Sequence, residues 1–224
     1  MEKKILIERH NIDKYIVENL SLNNITQDEI RDANYHHNSN YDNALLILKY
    51  GILSLKRMHE LGINKLTKYQ MELLSDTSSH INGIEGISLS KVGLEDLYSG
   101  EEEYNPFSSQ YIDFIISDRV KTRRFTQHYG NEFVTFNDIP LSDIKSLDFR
   151  IIKYIEENIK NSSTNKDKVY SDLIYMYNTI LQIARQIKSK NLQIQMREMS
   201  SEQLNLNIDS LYKMPILIME KPHM

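Results

Sequence analysis

The chain has 224 residues, 40% hydrophobic and 26% charged, with 27 basic against 31 acidic side chains and a formal charge of −4. At ~100–200 residues per domain that length holds one substantial core rather than two full domains, and the net negative charge argues against binding nucleic acid by bulk positive charge. Zero cysteines exclude disulfides, thiolate zinc sites and cysteine nucleophiles.

No apolar run approaches the ~20 residues of a membrane span, so no membrane association is expected. The opening Met1-Glu2-Lys3-Lys4-Ile5-Leu6-Ile7-Glu8-Arg9 lacks the apolar stretch of ~7–15 residues of a secretory leader. Cytoplasmic residence is the expectation. In chain order, Thr26-Gln27-Asp28-Glu29 has capping-box spacing and predicts a helix from about Gln27 to Ala33. Asp42 or Asn43 caps the next helix, whose apolar residues Ala44, Leu45, Ile47 and Leu48 stop at Gly51. Ser54 to Leu61 and Thr67 to Leu74 follow as further helices.

Between 75 and 150 the texture becomes that of strands: Ile84 to Ser90, Tyr111 to Ser117, Asn131 to Phe136 and Ser146 to Ile151 are short and rich in Ile, Val, Phe and Tyr. Glu101 to Pro106 reads as a solvent-facing loop. In the last third, Val169, Leu173, Met176, Ile180, Ile183 and Ile187 form a narrow apolar seam on a helix. Its expected dock is the sheet of the same chain; the alternative is a surface for a second copy or an inhibitor protein. With Ile152 to Ile159 it forms a C-terminal α-hairpin, and Leu192 to Met196 and Met214 to Met219 are short strands, the latter at an edge. The resulting division is an N-terminal helical segment (1–33), a core (34–150) and a C-terminal extension (151–224).

Three segments carry chemistry. Glu132 heads Asn131-Glu132-Phe133-Val134-Thr135-Phe136-Asn137-Asp138-Ile139-Pro140-Leu141-Ser142-Asp143-Ile144; upstream lie Tyr35-His36-His37-Asn38-Ser39 and Asn43-Ala44-Leu45-Leu46-Ile47-Leu48-Lys49-Tyr50-Gly51-Ile52-Leu53-Ser54. The adjacent histidines point to opposite faces of a strand and would not share a metal ion without bending. Together these segments resemble the ADP-ribosyltransferase superfamily. The resemblance, over residues 34 to 150, implies an α+β fold with a split β-sheet core and NAD as substrate. It makes Glu132 the catalytic acid, and His37-Asn38-Ser39 the triplet that opens the NAD site, with His36 the alternative register. It further implies Ser88 and Ser90 on the second core strand, and Tyr111, favoured over Tyr104 and Phe107, stacking on the nicotinamide.

A single carboxylate suits that chemistry, since cleaving the nicotinamide–ribose bond builds positive charge at the sugar carbon and the same group can take the acceptor's proton. Gly130 stands where protein-modifying members carry Glu or Gln, so the chain is similar to DarT-like toxins that modify bases in nucleic acid. Arg119, Lys121, Arg123, Arg124 and His128 supply a local basic patch for such an acceptor. An antitoxin or inhibitor protein on the 169–187 helix is the implied protein partner. The rival readings are a protein-modifying transferase, an NAD-dependent RNA 2′-phosphotransferase, and a non-catalytic binding protein on the same fold.

Overall fold

A computed structural model describes residues 2–20, 35–65, 67, 82–91, 112–124, 132–149, 165–198 and 204–220. The expected helices at 27–33 and 152–159, the loop at 101–106 and the helix after Thr67 lie outside them. The described elements form a mixed α+β structure. One sheet joins eight strands: β2 (Tyr35–Ser39), β3 (Ile87–Ser90), β4 (Ile112–Ile116), β5 (Arg123–Arg124), β6 (Glu132–Thr135), β7 (Ile144–Phe149), β8 (Gln195–Glu198) and β9 (Leu204–Leu206), in the order β5-β6-β3-β2-β4-β7-β8-β9. All neighbours are antiparallel except β7 and β8.

The ladder is uneven. β2 and β4 share five pairs, whereas β2 and β3 share the single pair His36–Ser90. The sheet is therefore two half-sheets, β5-β6-β3 and β2-β4-β7-β8-β9, joined at one backbone position.

Helices α1 (Ile12–Leu20), α2 (Tyr41–Tyr50), α3 (Leu55–Glu60), α4 (Asn82–Glu85), α5 (Lys166–Ser189) and α6 (Ile208–Lys213) complete the described structure. The α5 seam is internal: Val169, Leu173, Met176, Ile180, Ile183 and Ile187 are each 3% exposed or less and share one buried cluster with Phe114, Leu147 and Phe149 of the sheet. That settles the alternatives for this face, because a seam buried in its own chain offers nothing to an inhibitor protein. No helix among the described residues is long and apolar enough to cross a membrane.

Several boundaries move for local reasons. Asn40 caps α2, its Oδ1 accepting from the Asn43 N–H at 2.8 Å, so the helix starts ahead of the expected caps Asp42 and Asn43. Residues 82–85 make a helical turn before β3, where a strand from Ile84 was expected. Asn191 takes φ 53° and the Leu192 N–H returns to the Ile187 carbonyl at 3.0 Å. This C-cap uses the residues expected to begin a strand, and β8 starts at Gln195. The strand expected at the C-terminus is β10 (Ile216–Met219), which pairs in parallel with β1 (Lys4–Ile7) as a separate two-stranded sheet. The N-terminal segment thus opens with a strand as well as a helix.

Glu198 lies 1% exposed on β8, opposite Phe149, with neither carboxylate oxygen hydrogen-bonded among the described residues. Burial raises its pKa from 4.5 to about 7. The folded state then holds a proton that the unfolded chain has released, so this contribution to stability is full below about pH 4.5 and is lost as pH rises to about 7. At ~1.4 kcal/mol per unit the loss reaches at most about 3 kcal/mol. Glu198→Gln should flatten the decline in denaturant-derived stability between pH 5 and about 8; an unchanged slope would show that the carboxyl is not buried in this way.

Candidate functional site

β2 presents its two histidines to different surroundings, as alternation requires. The His37 Nδ1–H donates to the Ser88 carbonyl at 3.0 Å. A carbonyl only accepts, so Nδ1 carries the proton and Nε2 is left as an acceptor. His37 thereby bridges β2 to β3 just where their ladder ends. Burial lowers its pKa, opposed by the Ser88 hydrogen bond and the charge of Asp113. At neutral pH the ring is uncharged, suited to accept a hydrogen bond from a hydroxyl.

His37 lines a pocket with Ser39 and Asn43 as its other polar side chains. Leu46, Ile47, Leu53, Met58 and Ile63 make the apolar walls, and Tyr50, 41% exposed, lies at the rim. The free volume is about 60 Å³, which at ~10–15 Å³ per water on this measure is room for one planar ring rather than a dinucleotide. All of this lining comes from residues 37 to 63, that is from β2, α2, α3 and the turns that follow the two helices.

Gly51 ties the pocket to the acid-bearing segment. It ends α2 with φ 83°, and a Cβ there would lie 2.5 Å from the Ile139 carbonyl oxygen. The next residue, Ile52, exchanges two backbone hydrogen bonds with Ile139, each 2.9 Å. The turn after β6 is thus laid directly against the end of α2. Around it, Lys56 pairs with Glu85 at 2.6 Å and Arg57 reaches Asp138 at 3.4 Å.

The opposite side of β2 is polar and closed. The His36 Nδ1–H donates to Asp113 Oδ2 at 2.7 Å, with the two residues 8% and 1% exposed. The rung Asn38, Asp113, Asp148, Arg197 runs across β2, β4, β7 and β8. Arg197 holds both Asp148 oxygens, at 2.7 and 3.0 Å, and also reaches the Ser146 hydroxyl. Burial raises Asp148 to about 6, against the pull of Arg197 and with the charge of Asp113 adding to the rise. Asn38 Oδ1 and Asp113 Oδ1 are buried without a partner among the described residues.

Of the sequence-derived cofactor residues, His37 and Ser39 reach the pocket, while His36 and Asn38 lie on the polar rungs. Ser88 contributes its carbonyl and exposes its side chain; Ser90 stands opposite His36. Tyr111 lies outside the described residues. Glu132 heads β6 opposite Ser90, in the rung of His36 and thus at a position on the face of the sheet opposite that of His37; its backbone is described and its side chain is not. Arg119 and Lys121 are exposed on the segment leading into β5, and Arg123 is exposed on β5 opposite Val134 of β6; Arg124 is described in backbone alone, opposite Phe133, and His128 lies outside the described residues. Asn43 was read as a helix cap and Tyr50 as the end of that helix, and their place in the pocket follows only once α2 is laid over β2. Asp113 did carry a signal, as the one acid in the apolar run Ile112-Asp113-Phe114-Ile115-Ile116.

No protein-family model matches the chain, and no curated protein or solved structure matches it.

Gly51→Ala should destabilise the fold by about 2–4 kcal/mol, since the residue needs both a positive φ and the absence of a Cβ. Denaturant unfolding measures this; a change under about 0.5 kcal/mol, the range of ordinary surface substitutions, would mean that the turn and α2 are not in contact.

Proposed function

We propose that the chain is an NAD-dependent ADP-ribosyltransferase whose acceptor is nucleic acid. The observation that carries this reading is the adjacency of β2, β3 and β6. The histidine, serine and glutamate segments that resemble the superfamily are far apart in sequence, yet they occupy three neighbouring strands, and the sheet opens between the first two. A neutral His37 with Nε2 free to accept suits a ribose hydroxyl, and the pocket beside it suits one ring of the dinucleotide.

In this reading the bond between the ribose carbon and the nicotinamide nitrogen breaks, and its electron pair leaves with nicotinamide. The carboxylate of Glu132 stabilises the positive charge that develops on the sugar. An acceptor atom then bonds to that carbon and gives its proton to the same carboxylate. One acid serves both steps. Exposed Arg123 on the strand paired with the acid strand, with exposed Arg119 and Lys121 on the segment leading into it, supplies the cations a phosphate backbone needs, on a chain whose net charge is negative.

Glu132→Gln, nearly isosteric but uncharged, should remove most turnover while NAD affinity falls less. A folded Glu132→Gln protein with unchanged turnover would sink the assignment. His37→Ala should weaken NAD binding by about 1–3 kcal/mol in calorimetric titration, and unchanged affinity would place the cofactor elsewhere. Charge reversal at Arg123 and Arg124, or added salt, should weaken transfer to nucleic acid more than NAD hydrolysis. Label confined to protein and insensitive to both would point instead to a protein-modifying enzyme.

A further inference from the structure

The pocket lining belongs to one half-sheet and its helices, whereas Glu132 belongs to the other. Productive chemistry needs the two in fixed relation, and the backbone ladder joins them at His36–Ser90 alone. Other ties among the described residues include Tyr35 packing edge-on against Phe133, the Thr122 hydroxyl donating to the Tyr35 hydroxyl at 2.8 Å, Lys91 over the Tyr35 ring at 3.8 Å, the His37–Ser88 hydrogen bond, the Ile52–Ile139 bridge beyond the end of β6, and the partly exposed ion pairs of Lys56 and Arg57. Partly exposed ion pairs of that kind add little.

The His36 ring is fixed from behind. Its Nδ1–H is bound to Asp113, which sits 1% exposed in a rung anchored by the bidentate Asp148–Arg197 pair. Side chains directly opposite on neighbouring strands lie with Cβ atoms ~4.5–5.5 Å apart, so the ring borders Ser90, and Ser90 is in turn opposite Glu132. A ring released from Asp113 is free to swing across the one rung that joins the halves.

We propose that Asp113 is a positioning residue. Resting on the transferase reading above, its role is to hold the His36 ring and so to set the register between the half-sheet that carries the pocket and the half-sheet that carries Glu132. The residue touches no substrate. Its loss is felt in chemistry rather than in ring binding, because the pocket is built wholly from residues on the near side of the junction.

The test compares Asp113→Ala and Asp113→Asn with the wild type by NAD consumption, NAD titration and amide hydrogen exchange. In Asp113→Ala, kcat should fall at least ~tenfold, as small misplacements in an active site do, while KM and NAD affinity stay within ~threefold. Exchange at Leu89 and Ser90 should quicken ~tenfold relative to Phe114 and Leu147, which lie in the five-stranded half. Asp113→Asn still offers an oxygen to the His36 N–H, so it should keep most of kcat and most of the protection. Unchanged kcat in the alanine variant overturns the proposal, as does an asparagine variant as damaged as the alanine one, or a loss of NAD affinity as large as the loss of kcat. If the wild type consumes no NAD, the transferase reading fails; unchanged exchange at Leu89 and Ser90 then overturns the junction role as well, and accelerated exchange retains it.

Discussion

The contact on which the site depends is the crossing of Gly51 and Ile139. Two backbone hydrogen bonds between Ile52 and Ile139 contribute only about 1 kcal/mol each, so their weight lies in geometry. They fix the end of the helix that walls the pocket against the turn that follows the acid strand. Any side chain at Gly51 would strike the Ile139 carbonyl oxygen. Two segments separated by nearly ninety residues of sequence are thereby held together, and α3 with its apolar side chains Met58 and Leu55 follows from that anchor.

The split between β2 and β3 gives the paired histidines their separate roles. His37 turns into the gap and satisfies a carbonyl that a continuing ladder would have used, while His36 turns to the polar side and meets Asp113. Burying charge on that side brings little net stability, because desolvation offsets most of the attraction. Losing one partner of such a pair, however, costs about 3–5 kcal/mol. The His36, Asp113, Asp148 and Arg197 arrangement therefore specifies one alignment of four strands more than it strengthens them, and the buried Oδ1 atoms of Asn38 and Asp113, without a partner among the described residues, mark it as a place where packing has been subordinated to geometry.

Much of this was legible from local signals. The stop at Gly51, the helix expected from Ser54 and the apolar seam of α5 are short-range features whose physics is complete within a few residues, and the structure contains each of them, with Ser54 as the cap of α3. The strands at 112–116, 132–135 and 144–149 were legible in kind, although β7 begins at Ile144, two residues before the expected Ser146, and Ser117 and Phe136 fall outside the strands. What could not be read was what the tertiary fold alone supplies. β1 has only four residues and gains its meaning from β10 at the far end of the chain. Arg197 gains its partner Asp148 only where β8 is laid beside β7, and the pocket needed α2 and α3 to be folded over β2. The register that sets Glu132 opposite Ser90, and so in the rung of His36, is likewise a property of the sheet and not of any segment in it.

The transferase reading stands or falls on whether the protein turns over NAD onto an acceptor. The most direct measurement is mass spectrometry of DNA, RNA and protein after incubation with the purified chain and NAD, with released nicotinamide assayed in the same samples. The account predicts ADP-ribose added to nucleic acid and a matching release of nicotinamide. No added mass on any of the three, with no nicotinamide released, would contradict it.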